Sequence, residues 1–438
     1  MQLNKILLTV IGISVLYGCH KIDLPPHQQE ESAGVVYDWY KFIAKVQRPA
    51  NPQPVVLLNF RNFAFIGVGL YEAVRNGNKN AESLSSSLYQ MPAMPQADAW
   101  QRYLWSESAN AALAMMFKLF LTLTDANKAS IDSMEKVNYD RFSQTTSDAV
   151  LHRSQAFGRA IAEAIYNWST TDKFNLSSVG YVPPPVTPAS WVPTLPAFAT
   201  VGPFLHDSRP FLWYSVTALA PEPLEFSENP SSKFYKAVKE VYDIGKHLTD
   251  AQKATANWYA DAGGPGVGVP APYHALSIIT WVNENQKAKL FEAAEVYAKT
   301  GIAFKDGGII TFRSKYHYNL IRPITYIQRD IDATWLPYLP TPPYPEYTSG
   351  LLGAWAPFIQ VLKKEYGDIE VTDNAYDWRG LPARHFTSLS NLEDEAAISR
   401  VYGGLHYKWT QEVSMKMGKK LADEIADIKL VSNKNKHP

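Results

Sequence analysis

The chain has 438 residues, of which 46% are hydrophobic and 19% charged, a composition that supplies a large buried core and excludes extensive disorder. Lysine plus arginine and aspartate plus glutamate number 42 each, so the formal charge is zero, which excludes nucleic acid as the main partner because phosphate backbones are bound through a basic surplus. The single cysteine rules out an internal disulfide.

Residues 1–18 have the form of an export signal. Lys5 gives the positive start, and Ile6 to Leu16 form an apolar run too short to span a bilayer comfortably. The run ends in Leu16-Tyr17-Gly18-Cys19, which resembles the cleavage box of bacterial lipoproteins. Cys19 is therefore the predicted lipidation site, and residues 19–33, with Pro25 and Pro26, the tether that follows. His20 after the cysteine, where Asp would favour inner-membrane retention, points to the outer membrane of a Gram-negative bacterium, on its periplasmic or surface side. The lipid anchor is the only membrane contact expected.

One all-α domain is expected over 34–432. Apolar residues three and four apart predict helices over 55–75, 98–121 and 147–168. Thr124-Asp125 opens a polar amphipathic helix that runs to Phe142. Two more helices are expected over 231–248 and 249–262, then two over 284–301 and 308–328. A proline-rich irregular insert separates the halves: Tyr181 to Pro185, then Pro188, Pro193, Pro196, Pro203 and Pro210, with Trp191 and Trp213 to pack it onto the surface. A second proline cluster, Pro337 to Pro345, precedes the most informative stretch. Clean alternating strands are hard to find, and no repeat is visible.

Three segments carry chemistry. Lys315 and Arg322 are seven apart, which places both cations on one face of a continuous helix that Pro323 would kink or end. Tyr347-Thr348-Ser349-Gly350-Leu351 opens a helix through Leu362; its small residues let backbone N–H groups approach an anion, although Thr348 or Ser349 serves equally as a plain N-cap. In Ser399-Arg400-Val401-Tyr402-Gly403-Gly404-Leu405-His406, the paired glycines supply the turn that brings Arg400 and His406 together. His406 then starts the last long helix.

In order and spacing these segments resemble the phosphatidic-acid-phosphatase type 2 and vanadium haloperoxidase superfamily, whose motifs are Lys-x6-Arg-Pro, Pro-Ser-Gly-His and Ser-Arg-x5-His-x3-Asp. Lys315, Arg322 and Pro323 match the first; Ser349 and Gly350 match within the second; Ser399, Arg400 and His406 match within the third. The likeness to the secreted bacterial haloperoxidase-like branch extends over nearly the whole mature chain. It implies an all-α helical bundle of the haloperoxidase and acid-phosphatase type. It also implies a pocket in which Lys315, Arg322, Ser349, Gly350 and Arg400 hold a small phosphate-like oxyanion or phosphoester, with vanadate as the cofactor of a haloperoxidase. His406 is then the nucleophile or the vanadate ligand.

Two positions depart from the pattern. Leu351 stands where the family has its acid–base histidine, and Thr410 where it has the aspartate that orients the nucleophilic histidine. Leucine transfers no proton, a loss worth about 10²–10⁴ in rate for a positioned acid. The expectation is an oxyanion-binding lipoprotein with weak or lost catalysis. The alternatives are an active phosphomonoesterase or haloperoxidase with a substitute donor, for which His317, His385 and Tyr347 are candidates, and a non-catalytic structural surface lipoprotein.

Overall fold

In the computed structural model, described over residues 30–195, 199–261 and 266–430, helices dominate and the lone sheet among the described residues has two short strands. The first half comprises α1 (Gly34–Gln47), α2 (Val56–Val74), α3 (Trp105–Phe120), α4 (Asp125–Ser143) and α5 (Asp148–Ser169). After the insert come α6 (Trp213–Thr217), α7 (Lys233–Lys246), α8 (Asp250–Trp258), α9 (Tyr273–Asn285), α10 (Leu290–Tyr318) and α11 (Pro323–Asp330). Helix α12 (Gly350–Tyr366), the antiparallel strands β1 (Val371–Asp373) and β2 (Arg384–Phe386), α13 (Leu389–Tyr402) and α14 (Lys408–Ala426) complete the chain. The signal, Cys19 and most of the tether lie outside the described residues. Among the described residues, no helix is long and apolar enough to cross a membrane.

Helix α10 is the axis of the fold, packed between α2 and α12. Glycines allow these helices to touch. A Cβ at Gly67 would lie 2.3 Å from the Tyr297 carbonyl oxygen, and one at Gly307 would lie 1.9 Å from that of Gly353. This corrects the expected break between 301 and 308. Gly301 and Gly307 act by close backbone approach rather than as breakers, so α10 runs unbroken for 29 residues. Its true end is Asn319, in the left-handed region with φ 45°. Arg322 is extended and Pro323 opens α11 at its first turn, where a missing N–H costs nothing. The heptad spacing predicts a shared helix face for Lys315 and Arg322, but the helix ends between them; they meet instead over the Tyr344 ring.

Other boundaries shift for similar reasons. Helix α3 starts at Trp105 rather than 98, with Glu31 accepting from the N–H groups of Trp105 and Ser106. Helix α8 ends at Trp258. Helices α1, α6, α9 and α13 are not predicted. Buried residues occur on all sides of α9, from Tyr273 to Asn283, so it carries no clean amphipathic stripe.

The insert is tied down near the end of α10. The Trp191 N–H donates to Asn319 O at 2.8 Å, Ile321 N–H to Ala189 O at 2.8 Å, and Val201 N–H to Pro343 O at 3.3 Å. The buried Asp306 carboxylate caps its far end by accepting from the N–H groups of Phe211 and Leu212.

Candidate functional site

Three non-helical stretches meet at the end of α10: the α10–α11 junction, the 343–349 segment before α12, and the turn between α13 and α14. Lys315, in the last turn of α10, is fully buried. Its ammonium donates to the carbonyl oxygens of Pro345 at 2.9 Å, Glu346 at 3.0 Å and Thr348. Three donors meet three carbonyls, so this lysine organises the 345–348 segment rather than pointing at a ligand. Burial, reinforced by Arg322, holds its pKa well below the ordinary lysine value.

Arg322 is fully buried as well. Its Nε donates to Tyr344 O at 3.0 Å, and its Nη1 to Leu405 O at 2.8 Å and to His406 Nε2 at 3.2 Å. Its Nη2 is buried without a partner among the described residues.

These contacts fix the state of His406. Arginine has no acceptor, so His406 Nε2 accepts and the ring proton sits on Nδ1, which donates to Glu346 Oε1 at 2.8 Å. Burial, then Arg322, Lys315 and Arg400, holds the imidazole pKa well below the usual value. His406 is neutral at pH 7, the form that can attack phosphorus or ligate a metal through Nε2.

Glu346 is the functional residue that sequence reasoning misses. Its Oε1 also accepts from the Tyr407 N–H at 3.2 Å, and its Oε2 from Thr410 Oγ1 at 3.1 Å. Burial pushes its pKa up to about 7, against the pull of Arg322 and Lys315. This corrects the reading of Thr410 as a loss of orientation: the carboxylate absent at 410 comes from the opposite segment, and the threonine hydroxyl holds it. The available signal was a carboxylate immediately before Tyr347-Thr348-Ser349-Gly350.

Ser349 is the N-cap of α12, its Oγ accepting from the Leu352 N–H at 3.5 Å and its own N–H donating to Ser414 Oγ at 3.0 Å. That bond uses one lone pair of the hydroxyl and leaves its O–H free to donate. Gly350 opens α12, and a Cβ there would lie 3.2 Å from the phenol oxygen of Tyr344. Leu351 is partly buried against the main core. Arg400, in the last turn of α13, donates from Nε to Ser399 Oγ and from Nη2 to Ala256 O, each at 3.3 Å. Burial lowers its pKa to about 10, with Asp261 opposing. Gly404, at φ 74°, makes the turn that returns the chain to His406, which lies just ahead of α14 rather than inside it.

The proposed substitute acids are not assembled here. His317 and His385 are exposed, the latter paired with Thr372 Oγ1 across β1–β2. The Tyr347 hydroxyl donates to Pro221 O at 2.7 Å.

Residues 295–432 match the family model of the VCPO second helical-bundle domain. Among solved structures, the chain is similar to a bacterial vanadium-dependent iodoperoxidase, with a TM-score of 0.81 and 26% identity over 93% of this chain and 99% of that one. It is also similar to apo and holo forms of a bacterial vanadium-dependent chloroperoxidase, with TM-scores of 0.65 and 0.63 and identities of 16% and 15%. Those alignments cover 88% of this chain and 96% of the other and establish the shared fold. No protein of curated function matches the sequence.

Proposed function

This chain belongs to the vanadium haloperoxidase and type 2 phosphatidic-acid-phosphatase superfamily, and from that premise we propose that it holds a tetrahedral oxyanion, phosphate or vanadate, beside His406 with weakened proton transfer. The supporting observation is the Arg322 guanidinium, buried with Nη2 unpaired next to a neutral histidine. A buried charged donor left without an acceptor costs several kcal/mol, on the order of what an incoming anion oxygen would relieve. Arg400 adds a second planar fork, and the first N–H groups of α12 add a favourable field. Lys315 contributes charge and shapes the segment around the ligand.

Vanadate, where bound, would be ligated by His406 Nε2 and would supply peroxide activation for halide oxidation, the activity named for the similar iodoperoxidase and chloroperoxidase. With a phosphoester, His406 is the nucleophile and Glu346 keeps its ring in the attacking orientation. Leu351 gives no proton to either chemistry. Glu346 favours the reading of a working, if slow, phosphomonoesterase over that of a wholly inert pocket, because it restores what Thr410 alone lacks. An exported lipoprotein anchored through Cys19 is the setting we propose.

The test is thermal unfolding of the purified mature protein with millimolar phosphate or vanadate, alongside aryl phosphate hydrolysis and vanadate-dependent iodide and bromide oxidation. Stabilisation by both anions with slow turnover is expected. No stabilisation by either anion removes the oxyanion site, and efficient turnover removes the claim of weakened catalysis.

A further inference from the structure

Tyr344 sits in the site without having been singled out by any motif. It lies seven residues before Leu351, on the segment that Lys315 holds by three carbonyls, and Arg322 Nε fixes its own carbonyl. Its ring faces both cations, with Lys315 Nζ 4.8 Å and Arg322 Cζ 5.2 Å from the ring centre. Phe312 meets it edge-on at 5.2 Å. These contacts aim the phenol at the first residue of α12, where its oxygen occupies the space over Gly350. The residue is half-buried, and its hydroxyl has no hydrogen-bond partner among the described residues. A phenol at a helix N-terminus, ringed by cations and next to the position of the missing acid, is placed to give a proton to an oxygen of a bound phosphoester.

We propose that Tyr344 is the proton donor of this site, its phenol standing in for the acid absent at 351. This rests on the oxyanion reading above. In the step, the His406 Nε2 electron pair forms a bond to phosphorus and the bond from phosphorus to the leaving oxygen breaks. The phenol proton passes to the departing oxygen. Water then cleaves the phosphorus–nitrogen bond, leaving its hydroxyl on phosphate, and its second proton returns to the tyrosinate. A phenol, with an ordinary pKa near 10 against about 6.5 for imidazole, is a weaker acid than the histidinium it replaces, so turnover is slow with poor leaving groups.

The experiment compares the wild type with Tyr344→Phe, which keeps the ring against both cations. Calorimetry with inorganic phosphate reads the site itself. Hydrolysis of phenyl phosphate and of 2,4-dinitrophenyl phosphate reads the donor, because the second leaving group departs without a proton. Phosphate binding by both proteins is expected, with phenyl phosphate hydrolysis falling about 100-fold in the variant and the dinitrophenyl ester nearly unaffected. Equal slowing of the two esters, or no slowing of either, overturns the assignment. So does a wild type that binds phosphate but hydrolyses neither ester. A wild type that binds no phosphate overturns the oxyanion reading, and the donor role falls with it.

Discussion

Two buried histidines in this chain each face a carboxylate and end in opposite charge states. His274, on α9, lies between Asp261 Oδ1 at 2.6 Å from Nδ1 and Asp373 Oδ2 at 2.8 Å from Nε2, and the Trp258 indole also donates to Asp373. Burial opposes its charge, but the two aspartates win and raise its pKa to about 10. His406 has one carboxylate, Glu346, and an arginine on its other nitrogen; burial lowers its pKa, and the arginine lowers it further instead of opposing it. The same ring is thus a fixed cation in one place and a neutral lone-pair donor in the other. What sets the outcome is the partner of the second nitrogen: an anion makes a structural clamp, a cation keeps the nucleophile free of a proton.

The largest expected effect comes from breaking the clamp. His274→Leu leaves Asp373, which is fully buried, without its cation, and urea unfolding should show a loss of about 3–5 kcal/mol. A loss below about 1 kcal/mol would mean that His274 is neutral and that the contrast with His406 is mistaken. The same clamp carries a pH signature. The folded pKa of about 10 lies above the ordinary histidine value of 6.5, so the stabilisation is complete below pH 6.5 and disappears as pH rises through 10. The stability gap between wild type and His274→Leu should therefore shrink from pH 7 to pH 10; a constant gap would show a packing effect alone.

The next effect separates clamp from site. Arg322→Met removes the cation that, with burial, disfavours a proton on His406 and that offers the unpaired donor. It should abolish stabilisation by phosphate, which for the wild type at about 100 times Kd amounts to about 2.7 kcal/mol. His274→Leu should keep that phosphate response. If both variants lose it, the two histidines belong to one unit and the comparison collapses.

This contrast also marks what the sequence could reveal. The all-α bundle was legible because the helical period and the proline punctuation are local, and the family resemblance rests on residues in fixed order. The spacing of Lys315 and Arg322 predicts a helix face that does not exist; the left-handed Asn319 ends α10 between them, and no periodicity announces it. Glu346 has only its place before Tyr347-Thr348-Ser349-Gly350 to mark it, and its role appears only when Thr410 and His406 arrive from a distant helix junction. His274 was hidden in the same way, its two aspartates lying 13 and 99 residues away.

The smallest expected effect is also the one that tests how the site compensates. Leu351 is the second residue of α12 and only partly buried, so Leu351→His places an imidazole at the helix start without opening a deep cavity. A new general acid is ordinarily worth about 10²–10⁴ in rate, yet Tyr344 already occupies the adjoining space over Gly350. The gain in phenyl phosphate hydrolysis should therefore be about tenfold, on the order of 1.4 kcal/mol of barrier, and larger in the Tyr344→Phe background, where the added imidazole has no competitor. Equal gains in the two backgrounds would mean that phenol and imidazole act independently. No gain in either would show that proton donation is not what limits this pocket, and the neutrality of His406 would then have to be explained by ligand binding alone.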